Sequence, residues 1–379
     1  MKVAVFVSYL PPHVGGIEAV AESQATGLAA RGEEVTVITS ACDSRPGVSH
    51  LGNCVVRRIP AWNYFEQKMG AVFPIFSPSL VWHSYKAVRN ADIVHAHDSF
   101  YLTSLAGAFW ARVLRKPLIL TQHVDVVPHP NSLVELIQKI VYATTGRFVQ
   151  RSSRRILVLN SRVEQFLVHN RVDSSRITFL PNSVDTEAYA PADAESKQAL
   201  RERFHLSQDK VLALFVGRFV PKKGFTSLLH LRRIENLEIV FVGGDPPEGH
   251  AREDQHFLGT IGRREMPDIY KLCDIFVLPS QGEGFPVTVQ EAMATGLPAI
   301  VGDDPAYAPY GLDRSLIKLV APSAESIAAS LEQVAVDADL REDMATYSRL
   351  YALKNFDWAT HVEVLMDIYW REARQRPRG

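Results

Sequence analysis

Short runs of β-branched and aliphatic residues recur through the first half of the chain, at 3–7, 34–39, 93–96, 118–122, 156–159 and 177–180. Between some of them the apolar positions change to helical spacing, at about 17–31 and 104–114. Strands alternating with helices predict a parallel sheet with helices on both faces. A polar, proline-bearing stretch at 191–195 breaks the rhythm and precedes a helix. Strands then resume at 211–216, 237–242, 255–258, 275–278, 299–301 and 317–319. The expected fold class is therefore α/β, with two Rossmann-like doubly wound domains in tandem. Open sheets of this kind bind ligands beyond the carboxyl ends of their strands, so two such domains facing each other are expected to form a cleft that holds the chemistry. An aromatic-rich amphipathic tail at about 358–370 would serve as a cap on the second domain.

The length of 379 residues agrees with two domains. With 41 basic and 42 acidic residues the formal charge is −1, which argues against a nucleic-acid partner bound through bulk charge. The first apolar run meets Pro11-Pro12 at once, unlike a secretory signal, and the longest uncharged stretch, 69–85, contains Pro74 and Pro78, unlike a membrane-spanning helix. Three cysteines, Cys42, Cys54 and Cys273, have no metal-ligand spacing. These features predict a cytoplasmic protein.

Candidate chemistry concentrates at strand ends. Glu283 and Glu291 are eight positions apart, separated by Gly284-Phe285-Pro286, a turn that opens a helix. Both carboxylates can then face one ligand, and the free amides of the helix start suit a phosphate. Arg218 follows the strand 211–216, and Lys223 comes five residues later before Gly224. A planar guanidinium and a flexible ammonium suit the two phosphates of a leaving diphosphate, whereas Lys222 reads more simply as solvated surface charge. Gly15-Gly16, after the first strand, either lets backbone approach a phosphate or makes a tight turn. His123 ends the strand 118–122, and His97 and Asp98 end the strand 93–96 together with His95. These groups do not converge as metal ligands would, and no metal is expected. Paired carboxylates also describe glycosidases, but those have little use for the cations at 218 and 223.

In this order the motifs resemble the retaining nucleotide-sugar glycosyltransferases of the GT-B fold, carbohydrate family 4. The resemblance rests on Gly15-Gly16, residues 92–97, His123, Pro181-Asn182-Ser183-Val184-Asp185, Gly217-Arg218 to Lys223-Gly224, residues 257–259, 274–280, and Glu283-Gly-Phe-Pro to Glu291-Ala-Met-Ala-Thr-Gly-Leu-Pro. It implies an acceptor-side domain at 1–188 joined by a crossing tail at 358–379, and a donor domain at 189–357. It implies Arg218 and Lys223 on the donor diphosphate, Glu283 with the turn Gly284-Phe285-Pro286 on the donor sugar, and Glu291 on the ribose. Leu258 and Gly259 border the base, Gly15-Gly16 close over the diphosphate, and His123 touches the transferred sugar. His97 and Asp98 are expected on the acceptor side. The family works without a metal or other cofactor; the partners are an NDP-sugar, UDP- or GDP-linked, and a hydroxyl-bearing acceptor. The chain departs from the pattern at Pro286, where members often have a third glycine, and at 300–305, which lacks the usual Gly-Gly and Glu.

An epimerase or hydrolase on the same scaffold, or a sugar-nucleotide binder without catalysis, remains open from the residues. Arg147, Arg151, Arg154 and Arg155, near an apolar helix at 133–142, add the expectation of a peripheral contact with an anionic membrane at its inner face, for a lipid-linked acceptor. A solvated helix end explains them equally well.

Overall fold

The computed structural model describes residues 1–13, 15–69, 73–127, 129, 131–250 and 252–374; Val14 of the glycine loop, part of the 69–85 stretch and the end of the tail lie outside them. The chain divides into two compact units. One comprises Met1–Leu180 with Ala359–Gly379, and the other Pro181–Trp358. The hand-over thus falls a few residues before the 188/189 junction expected from the sequence.

The first unit is built on an eight-stranded sheet in the order Ile177–Phe179, Arg155–Val158, Leu118–Gln122, Ile93–His97, Lys2–Phe6, Glu34–Ser40, Cys54–Ile59, Gly47–Leu51. All neighbours are parallel except the last pair, a hairpin closed by Gly52-Asn53 that the strand pattern did not reveal. The strands Ile93–His97 and Leu118–Gln122 are buried at every residue, as helices on both faces require. Phe6, Ile38, Val94, Ala108, Leu120, Val149 and Ile156 belong to its core. Strand order reverses between Lys2–Phe6 and Ile93–His97, and the loops leaving those two strands carry Gly15-Gly16 and Asp98.

The second unit holds a six-stranded, wholly parallel sheet: Gln255–Phe257, Leu237–Val242, Val211–Val216, Ile275–Leu278, Ala299–Gly302, Lys318–Val320. Its order runs outward in both directions from Val211–Val216 and Ile275–Leu278, so the crevice of a doubly wound sheet lies between those strands' carboxyl ends. Two glycines let the loops close there. Gly243 (φ +126°) abuts the Gly217 carbonyl, where a Cβ would collide, and at Gly224 (φ +78°) a Cβ would lie 2.7 Å from the Pro279 oxygen.

The terminal helix Trp358–Arg374 packs on the first unit, so it does not cap the second. Val362, Leu365 and Tyr369 are buried, Tyr369 Oη bonds His95 Nδ1, and His361 meets Gln24 at 3.0 Å. Arg155 Nε donates to the Glu372 carboxylate at 3.1 Å and Arg154 to the Glu372 carbonyl at 2.8 Å.

Candidate functional site

At the reversal point of the second sheet, the loop after Val211–Val216 and the loop after Ile275–Leu278 are tied together by the Gln281 amide donating to the Lys222 carbonyl at 2.9 Å. Across that tie, Lys223 Nζ contacts the Glu283 carboxylate at 2.7 Å, with both side chains about four-fifths covered. The two residues expected to hold opposite ends of one ligand are therefore each other's partners in this structure. Arg218 is exposed, and its guanidinium has no hydrogen-bond or ion-pair partner among the described residues. Lys222 is exposed and contributes its carbonyl to the tie.

The helix Val287–Ala294 begins at Pro286, whose carbonyl accepts from the Val289 and Gln290 amides. No side chain caps it. The amides of Gly284, Phe285, Val287 and Thr288 have no partner among the described residues, and neither do the buried hydroxyls of Thr288 and Ser280. Donors left open at a helix start with its positive dipole end form an anion site. The Phe285 side chain takes no part in it. The ring is 3% exposed and packs on Tyr310, Tyr307 and Phe356 at 4.5, 5.1 and 5.6 Å, anchoring the turn, so of this expected ligand contact only the amide is free. Pro286 has no amide to offer.

Glu291 sits five residues into the helix. Tyr270 Oη donates to its carboxylate at 2.7 Å, and Tyr189 also bonds it. Burial raises its pKa above the ordinary carboxylate value, opposed by the two tyrosine hydroxyls and by Arg263. Neither tyrosine was legible as a partner, since each comes from a separate segment. The Leu258 amide donates to the Phe241 carbonyl and the Gly259 carbonyl accepts from Gly243, at 3.0 and 2.9 Å, which ties these residues to the sheet edge and leaves the Leu258 side chain half-exposed.

The edge of the first sheet differs. Gly15 precedes the helix Gly16–Ala30, and a Cβ on it would run into the Glu18 carboxylate, which folds back over the loop. Beside it the His13 ring stacks on Tyr9 at 4.1 Å and bonds Asp43 at 2.7 Å, with Glu66 and Glu18 at 3.8 and 4.0 Å. This network was not foreseen, because its members lie up to 57 residues apart.

The register that pairs His97 with Thr121 places His97 against His123, Nδ1 to Nε2 at 3.1 Å, with the rings stacked. His95 lies under His97, 4.5 Å between ring centres, and bonds Thr121 at 2.8 Å. The three histidines form a buried chain, an arrangement that the strand pattern did not reveal. Burial lowers the pKa of His95 and His123 to about 3 and that of His97 well below its usual range. Asp98, in a left-handed conformation at φ +63°, accepts from the Phe100 amide, Gln122 and Tyr142, and burial raises its pKa to about 6. His97 and Asp98, expected on the acceptor side, are fully buried, His97 against His123 and Asp98 against Gln122 and Tyr142. No group of three or more His, Cys, Asp or Glu side chains among the described residues has a metal-holding arrangement.

Of the four arginines expected at a membrane, Arg154 and Arg155 are tied to Glu372, Arg147 is half-buried and Arg151 alone is exposed. No helix among the described residues is long and apolar enough to cross a membrane.

Comparison with known proteins adds three findings. Residues 14–188 match the model of Glycosyltransferase Family 4, and residues 196–351 that of Glycosyl transferases group 1. An uncharacterized glycosyltransferase of Methanocaldococcus jannaschii is 23% identical over 97% of this chain and 98% of its own length; a GDP-mannose-dependent alpha-mannosyltransferase of Corynebacterium glutamicum is 28% identical over 79% of this chain and 72% of its own. Anabaena HepE, solved in complex with UDP, superposes with a TM-score of 0.77 at 16% identity, covering 98% of this chain and all of HepE.

Proposed function

Because the chain belongs to the glycosyltransferases of family 4 and group 1, with the GT-B fold, we propose that it moves a hexose from a UDP- or GDP-sugar to a hydroxyl of its acceptor. The observation that carries this reading is the open edge of the second sheet, where exposed Arg218, the Lys223–Glu283 pair and a run of free amides lie on two adjoining loops. The relatives named above favour guanosine or uridine as the nucleoside, one acting on GDP-mannose and the other solved with UDP.

Arg218, Lys223 and the helix start bind the diphosphate. Glu283, released from Lys223 by the incoming phosphate, accepts from hydroxyls of the sugar, and the Gly284 and Phe285 amides donate to its oxygens. Glu291, held by two tyrosines, accepts from the ribose hydroxyls, and Leu258 and Gly259 flank the base. In the first unit, His123 serves the sugar and Gly15-Gly16 the diphosphate. As the bond from the anomeric carbon to the diphosphate oxygen breaks, its electron pair stays on the phosphate. Arg218 and Lys223 meet that charge where it develops, each contributing about 2 kcal/mol. The acceptor oxygen bonds to the anomeric carbon on the same face, and its proton passes to the leaving phosphate. Retention follows, and NMR of the product anomer checks it. With two fixed cations on the leaving group the reaction needs no divalent metal, so chelation leaves the rate unchanged. The free thiols Cys42, Cys54 and Cys273 support an intracellular setting.

A thermal-shift panel of UDP-, GDP-, ADP- and TDP-sugars tests the donor. A ligand at 100 times its Kd stabilises by about 2.7 kcal/mol. A shift with none of the four overturns the reading. Release of free nucleotide at full rate without an acceptor identifies a hydrolase, and binding without turnover a sensor.

A further inference from the structure

The first unit carries a second exposed face that the proposed reaction does not use. Helices Ser79–Asn90 and Leu102–Val113 pack side by side, joined by Trp110 Nε1 donating to the Val81 carbonyl at 2.9 Å. Trp82 stacks on Tyr85 at 5.7 Å, Tyr85 meets Trp110 edge-on at 5.0 Å, and Trp110 meets Phe109 at 5.0 Å, making one aromatic strip across both helices. Trp82 and Phe109, with Val81 and Val113, are about half exposed. Cations flank the strip: Lys86 Nζ lies 4.8 Å from the Trp82 ring centre, Arg89 lies over Tyr85, and Arg112 and Arg115 are exposed at the end of the second helix.

Neither helix contains an Asp or Glu. Nearby, Glu34 pairs with Lys2 at 3.2 Å, and Asp92 accepts from the Lys2 amide at 2.7 Å, one carboxylate against the four cations of the strip. The helix Ser132–Val141 also exposes Leu133, Leu136, Ile137 and Ile140, but it balances Lys139 against Glu135, and two of the four arginines beyond it, Arg154 and Arg155, are tied to Glu372. Exposed apolar surface is common to both faces; unopposed positive charge distinguishes the strip.

We propose that the Trp82–Phe109 face docks the protein on a bilayer containing anionic phospholipid. The aromatic rings seat at headgroup depth, and Lys86, Arg89, Arg112 and Arg115 contact the phosphates. An aromatic row backed by helices, with cations on its flanks, matches a planar interface that is apolar within and anionic at its surface. The proposal deepens the lipid-linked acceptor expected for this transferase. Its test reads partitioning and not transfer, so either can fail alone.

The test is co-sedimentation of the full chain with vesicles of phosphatidylcholine, with and without phosphatidylglycerol. Binding is expected only with phosphatidylglycerol and to be lost at about 0.5 M salt, as charges are screened. Lys86→Gln/Arg89→Gln/Arg112→Gln is expected to weaken it about a hundredfold and Trp82→Ala/Phe109→Ala about tenfold, with melting temperature and nucleotide binding unchanged. Leu136→Ser/Ile140→Ser is expected to bind as the wild type does. No partitioning, partitioning indifferent to lipid charge, or loss confined to the 136/140 variant overturns the proposal. So does a dimer in light scattering that Trp82→Ala dissociates, which would assign the face to a second copy.

Discussion

The two sheets end their central strands in opposite ways. In the first unit the polar groups at the carboxyl edge turn inward: His97 holds His123, Gln122 and Tyr142 hold Asp98, and burial keeps the histidines neutral. In the second unit the edge stays open, with an exposed guanidinium, one ion pair and four free amides. A buried edge whose polar groups pair mainly with one another stabilises its own fold, although His97 Nε2 and Asp98 Oδ2 there have no hydrogen-bond partner among the described residues. An open one leaves its electrostatic energy for a ligand. The same topology therefore supplies a mostly buried polar edge in one unit and an open one in the other.

Acid separates the two most strongly. Three histidines are neutral when folded, burial lowering His95 and His123 to about 3 and His97 well below its usual range; they bind protons on unfolding below their ordinary 6.5, so the stability they contribute is lost as pH falls from about 6.5. Asp98 acts oppositely: its pKa rises from 3.8 to about 6, so its contribution is present at low pH and lost as pH rises through 6. About two net protons remain, and the first unit should lose on the order of a few kcal/mol per pH unit as pH falls from 6 to 4. Hydrogen exchange should rise in Ile93–His97 and Leu118–Gln122 well before Val211–Val216. Equal acid sensitivity of the two sheets would erase the contrast.

Substitution at the open edge should leave the fold intact and reduce catalysis. Lys223→Ala is expected to lower kcat by tens to hundreds of fold at unchanged melting temperature, as a lost transition-state contact of about 2 kcal/mol or more implies. An unaltered kcat would remove Lys223 from the leaving-group role.

What the sequence revealed follows the same division. Strands 118–122, 211–216, 237–242 and 275–278 were read at their observed bounds, because strands buried on both faces are largely apolar runs, broken here only by Thr121, Gln122 and Glu238. The motif residues of the open edge were legible because loop and helix start lie within ten residues of each other. The hairpin Gly47–Leu51 and Cys54–Ile59 was missed, although Gly52-Asn53 marks such a turn. The His97–His123 contact depends on strand register, and the capture of Arg154 and Arg155 by Glu372 on a helix more than two hundred residues away. Local pattern does not encode either. Nor did it show that Lys223 and Glu283, sixty residues apart, are partners before any ligand arrives.

That ion pair gives the smallest and most direct readout. Titration calorimetry of UDP and GDP into the wild type, Arg218→Ala and Glu283→Gln asks whether the open edge is a diphosphate site. One nucleotide should bind the wild type, at least tenfold more weakly to Arg218→Ala, and a few-fold more tightly to Glu283→Gln, where Lys223 is freed. Equal affinity in Arg218→Ala, or no binding of either nucleotide, would contradict a diphosphate site at this edge.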